Sequence, residues 1–220
     1  MLRVANWGRL PYDAALAEQR RLVEDRRAGR IPDTLIWVEH DPVYTLGRRA
    51  PDEHVLFGPE QRERLGIALA RTDRGGEATY HGPGQLVGYP ILALGKAARQ
   101  AVAYVTRLEE TLLRVLSDFG LTGTRDRANR GVWIGADKIA AIGVRIAGGV
   151  TMHGFALNVR TDLHHYEGIV PCGMRDRGVT SLHRFVPAVT LAEARQATLR
   201  RFVEVFGFRL EDPALAEGTA

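Results

Sequence analysis

The stretch KIAAIGVRIAGGVTMHGFALNV, residues 138–159, decides the fold. Two β-like runs, 138–146 and 150–159, flank Gly148-Gly149, a pair able to take the positive φ that a tight hairpin turn demands. A third β-like run, 131–134, lies just before them. Hairpins make neighbouring strands antiparallel, so a purely parallel doubly wound sheet is excluded. If Lys138 begins a strand, residues 138, 140, 142 and 144 share one face and 139, 141 and 143 the other. Ala141 and Gly143 then leave room for a ligand against their face.

Working outward, residues 98–119 read as the longest helix. Val102, Val105, Leu108, Leu112, Val115 and Phe119 form one buried stripe at three- and four-residue steps, and Gly120 ends it. Residues 86–92 read as a strand, and 11–28 as an amphipathic helix closed by Gly29 and Pro32. Residues 35–38 and 43–46 are short buried strands separated by Asp41-Pro42, and 48–58 is a charged loop. Thr190 and Glu193 make a capping box for a last helix that runs to Phe206 and stops at Gly207. The expectation is a single mixed α/β (α+β) domain over residues 1–220, with a mostly antiparallel sheet and flanking helices.

Composition narrows the function. The 220 residues are 45% hydrophobic and 25% charged, ordinary values for a globular chain. No apolar run approaches the ~20 residues that span a bilayer, and the N-terminus lacks a secretory pattern. One cysteine permits no internal disulfide, which suits a reducing compartment. The expectation is a cytoplasmic monomer away from membranes. A net charge of +4 with scattered basic residues argues against a nucleic-acid binder. Of the 30 basic residues only Lys96 and Lys138 are lysine. In an arginine-rich chain, a lysine is a candidate for work that needs a movable proton. Lys96 sits in a loop-like stretch and is read as structural.

Three segments carry chemistry. Residues 74–85, RGGEATYHGPGQ, hold four glycines and a proline, too many for a regular helix or strand. Such a loop brings backbone amides close to a ligand. It also contains Arg74, an anion binder, and His81, which titrates near neutrality. The same glycines would equally serve a tight turn between strands. Cys172 stands between Pro171 and Gly173, outside any periodic apolar pattern. Lys138 completes the set. A thiol has a reference pKa of about 8.5, and only the thiolate is a good nucleophile. An ammonium ~4 Å away is worth at most roughly 4 kcal/mol at an effective dielectric of 20, near three pKa units. Half of that brings the thiol to a pKa of about 7, so that about half is thiolate at neutral pH.

The glycine-rich segment continued to Tyr89 resembles the signature of the lipoyl(octanoyl) transferases. So do VEHDPVYTLG at 38–47, KIAAIGV at 138–144, IVPCG at 169–173 and VTSL at 179–182. The matches fall in family order across residues 35–185. Met174 stands where the family pattern has a branched aliphatic residue. The resemblance implies an enzyme that takes octanoyl from octanoyl-acyl carrier protein, holds it on Cys172 as a thioester, and passes it to a lysine of a lipoyl domain. The acceptors would be the 2-oxoacid dehydrogenase complexes and the glycine cleavage H protein. Lys138 would lower the thiol pKa. The acyl site would be lined by Arg74, Gly75, Gly76, Glu77, Ala78, Thr79, Tyr80 and His81, by Ala141, Ile142 and Gly143, and by Gly154, Phe155 and Ala156. No cofactor and no metal are implied, and the fold would be that of biotin and lipoate ligase catalytic domains.

Two rivals have different requirements. A lipoate or biotin ligase activates a free acid with ATP and needs no thiol, whereas a binding module would tolerate loss of Cys172. Metal binding through His164 and His165 is disfavoured, because adjacent strand residues point oppositely and the other five histidines are dispersed.

Overall fold

The computed structural model describes residues 1–95, 98–126, 128–170, 177–212 and 214. Its main sheet has seven strands in the order β1 (Leu2–Leu10), β2 (Asp33–His40), β6 (Gln85–Ile91), β10 (Val150–Asn158), β9 (Asp137–Ala147), β8 (Gly131–Ile134) and β7 (Thr124–Arg125). Only β1 and β2 run parallel, and the other five pairings are antiparallel. The β9–β10 hairpin turns at Gly148 and Gly149, whose φ values of 61° and 88° are those the glycine pair was read to supply.

A second sheet, absent from the sequence reading, has the order β4 (Ala68–Arg71), β3 (Val43–Leu46), β5 (Ala78–His81). Its presence corrects two expectations. The strands on either side of Asp41-Pro42 belong to different sheets, because the chain turns off the main sheet there. The glycine-rich segment also contains a regular strand: Ala78–His81 pairs antiparallel with Val43–Leu46. Four residues suffice when the partner strand is wholly buried.

Alternation along β10 sends its side chains to two cores. Phe155 and Leu157 join the core under α3 (Ala98–Asp118) and α4 (Leu191–Phe206), while Met152 and Ala156 join the one under α1 (Tyr12–Arg27). Leu108, Leu112, Val115 and Leu116 of α3 are fully buried, each contributing about 1.5–3 kcal/mol. Val102 departs from the predicted stripe: it is 59% exposed, in the first turn and a half of α3. The last helix is capped as read. Thr190 Oγ1 accepts from the Glu193 amide, the Glu193 carboxylate accepts from the Thr190 amide, and Gly207 closes it in the left-handed region. Among the described residues, no helix is long and apolar enough to cross a membrane.

Candidate active site

A cavity of about 230 Å³ lies between the main sheet and the glycine-rich segment. Its floor follows from strand register. Ala141 on β9 pairs with Ala156 on β10, which pairs with Val87 on β6. One step along, Gly143 pairs with Gly154. A Cβ on Gly154 would stand 2.1 Å from Gly88 O, and one on Gly143 would stand 2.9 Å from Arg74 Cδ. Glycine here permits close approach, of strand to strand and of roof to floor.

Lys138 reaches this face by an irregularity. Strict alternation would set it opposite Ala141, but the β8–β9 register shifts between Val132 and Trp133, adding one residue to β9. Ile139 and Ala140 consequently both enter the core beneath α3, and Lys138 shares the cavity with Ala141 and Gly143. The face assignment made from periodicity is corrected by this bulge. Lys138 is 6% exposed. Its Nζ donates to Arg130 O at 3.2 Å and lies 4.7 Å from the centre of the Trp133 ring.

The roof is held by polar contacts. Arg74 Nη2 donates to the carbonyl and hydroxyl of Thr45 at 2.7 and 2.8 Å, and Nη1 donates to Gly75 O at 3.1 Å. The Gly75 amide donates to Val144 O on β9 at 2.9 Å. Asp73 is paired with Arg145 and accepts from His153 Nε2 at 2.7 Å. Burial would raise the Asp73 carboxyl, but that hydrogen bond and the neighbouring cations hold it below the usual carboxylate range. His153 is the one described non-glycine residue with positive φ, 57°. Its amide donates to Gln19 Oε1, and it lies opposite Pro90, where the β6–β10 ladder is interrupted.

Three buried histidines stay neutral beside the cavity. Burial is the main cause in each case, pushing His81 down to about 3 and His40 and His153 to about 4. Their tautomers follow from their partners. Gln85 Nε2 donates to Tyr80 O and Asn158 Oδ1, so Gln85 Oε1 accepts from His81 Nδ1–H. This leaves His81 Nε2 as an acceptor. His40 Nδ1–H donates to Leu10 O, so Tyr89 donates its hydroxyl hydrogen to His40 Nε2. His81 therefore does not titrate near neutrality, contrary to its reference behaviour.

All but one of the described residues expected at the site line this cavity: Lys138, Arg74, Gly75, Gly76, Glu77, Ala78, Thr79, His81, Ala141, Ile142, Gly143, Gly154, Phe155 and Ala156. Tyr80 does not. Alternation turns it into the small sheet's core, hydrogen bonded to His165 Nδ1 at 2.7 Å. Cys172 lies outside the described residues, as does Lys96. Tyr12, Arg49, Val87, Tyr89, Arg130 and His153 also line the cavity and were not anticipated. Arginine excess hid Arg49 and Arg130, and the others read as ordinary core positions. Among the described residues, the charged lining is Arg49, Arg74, Arg130 and Lys138 against Glu77. An anion such as a thiolate or a developing oxyanion is favoured there.

The mixed sheet flanked by helices has the fold of lipoate and biotin ligase catalytic domains. A bipartite lipoate protein ligase from Thermoplasma acidophilum superposes with a TM-score of 0.73 at 21% identity, covering 98% of this chain and 90% of that one. A biotin protein ligase from Aquifex aeolicus gives 0.54 at 12% identity, over 94% and 69%. In sequence, an octanoyltransferase from Alkaliphilus metalliredigens is 48% identical over 94% of this chain and 96% of its own length. Residues 11–203 match the lipoyl protein ligase A/B catalytic domain, and the chain belongs to that family. It is an acyltransferase of protein lipoylation.

Proposed function

We propose that this single-domain protein acts as a cytoplasmic monomer that moves octanoyl from octanoyl-acyl carrier protein to a lysine of lipoyl domains, through a thioester on Cys172. The acceptors are the lipoyl domains of 2-oxoacid dehydrogenase complexes and the glycine cleavage H protein. Thiolate Cys172 attacks the donor carbonyl, the C–S bond to the carrier breaks, and the carrier thiolate takes a proton from Lys138. The acceptor amine then attacks the acyl-enzyme, forming the amide. Its proton returns to Lys138, and Cys172 leaves as thiolate.

One observation supports this reading above others. Val170 and Gly178, described residues on either side of Cys172 in sequence, are both hydrogen bonded beside the cavity. The Val170 amide donates to His54 O at 2.9 Å, and His54 in turn meets Glu77, a lining residue, at 3.4 Å. On the far side, the Lys138 amide donates to Gly178 O and the Thr180 amide donates to Lys138 O, both at 3.0 Å. The family resemblance implies those roles for the thiol and the amine, and the cationic lining suits a thiolate.

The test is intact mass after mixing with octanoyl-acyl carrier protein without ATP. One octanoyl adduct, mapped to Cys172 and discharged by a lipoyl domain, is expected. Cys172→Ala should take up none, and an adduct on that variant would overturn the thioester. Lys138→Arg keeps the charge but removes the accessible proton. It should lose at least 100-fold in transfer, the usual scale of a positioned acid–base group, and parental rates would exclude the proton role.

A further inference from the structure

The two rows of the cavity floor share one pattern. Reading from β9 across β10 to β6, one row is Ala141, Ala156, Val87, and the next is Gly143, Gly154, then Tyr89. In both rows the β9 and β10 positions carry nothing past Cβ, while on β6 both residues are large. The small positions make a trough, and β6 ends it. Strands are about 4.8 Å apart, so β6 stands about 10 Å across the sheet from β9. An extended eight-carbon acyl chain spans about 9 Å, given C–C bonds of about 1.5 Å in zigzag. A chain with its carbonyl beside Lys138 that crosses the trough therefore brings its methyl end up against β6.

The wall behind that end is fixed. Tyr89 is tied to His40, and His40 to Leu10 O. Tyr12 stacks on His81 at 6.0 Å, with His40 edge-on to both. On the far side of β6, Val87 pairs with buried Val38 on β2. Val87 lines the trough and has no hydrogen bond to lose, so it can be resized without breaking the wall.

We propose that Val87 sets the upper limit of acyl-chain length. The inference rests on the transferase reading above. Val87→Ala removes two carbons from the end of the trough, and Val87→Ile adds one.

The experiment offers acyl carrier protein loaded with six-, eight-, ten- and twelve-carbon chains to the parent and both variants. Acyl-enzyme formation is followed by mass, with thermal melts to verify folding. For Val87→Ala the ten-to-eight preference should rise about tenfold, as expected for two more buried methylenes. Val87→Ile should move the preference toward six carbons. An unchanged length profile in the two folded variants would overturn the ruler. A parent that takes up no chain of any length would instead overturn the transferase reading.

Discussion

The floor and roof of the cavity are built by opposite means. The floor consists of three paired strands, and its shape is set by what is missing: side chains at Ala141, Gly143, Gly154 and Ala156. The roof, from Asp73 to Thr79, has no periodicity before β5 and is positioned by the Arg74, Asp73 and Gly75 hydrogen bonds. A floor responds to added volume because backbone cannot move aside. A roof responds to lost polar partners, since each leaves a buried group unsatisfied.

Adding one methyl group to each separates the two most sharply. On Gly154 the new Cβ would meet Gly88 O at 2.1 Å and Pro90 Cδ at 2.7 Å, so β6 and β10 must part. Gly154→Ala should cost about 3 kcal/mol in urea melts, the upper range of overpacking. On Gly75 the nearest atom is Val144 O at 3.4 Å, an ordinary contact. Gly75→Ala should stay within about 1 kcal/mol of the parent. Equal losses would erase the distinction between floor and roof.

Acid attacks the histidines that join floor and roof. His40, His81 and His153 stay neutral in the folded protein to about pH 4 or below, whereas in the unfolded chain each takes a proton below about pH 6.5. Between those limits the unfolded state binds more protons, so stability rises with pH and is lost as pH falls from 6.5. From pH 7 to 5 the loss should be about 2 kcal/mol per histidine. Replacing His40 by Gln should remove roughly a third of that slope. Stability that is flat across this interval would mean these imidazoles are not held neutral.

The floor was legible in sequence for a physical reason. Alternation and small residues mark a strand face, and paired glycines mark the turn that folds it back. The bulge at Ile139 was not, because one inserted residue leaves the apolar run looking continuous while reversing the face of Lys138. Strand β5 was hidden by the glycines on either side of it, and the positive φ of His153 has no sequence mark outside glycine and asparagine. Val102 looked like core because periodicity records which side of a helix is apolar but not how far along it that side is covered. Of the two residues read as catalytic, the fold positions Lys138 beside the cavity, while the case for Cys172 still rests on its flanking residues and the family resemblance.

A milder change than Gly154→Ala tests what holds the roof. Thr45 is fully buried on β3, and both its carbonyl and its hydroxyl oxygen accept from Arg74 Nη2. Valine keeps the shape and removes the hydroxyl, leaving the guanidinium its bonds to Thr45 O and Gly75 O. Losing one hydrogen bond to a charged group should cost about 1.5 kcal/mol, half the expected penalty at Gly154. The strand pairing of Thr45 with Thr79 is made by backbone and should persist. Acyl uptake by Thr45→Val should slow only a few-fold, since Arg74 also packs against Gly47, Gly76 and Gly143, where any Cβ would crowd it. A variant with parental stability and uptake would show that this glycine cradle alone positions Arg74, making the roof, like the floor, a matter of volume.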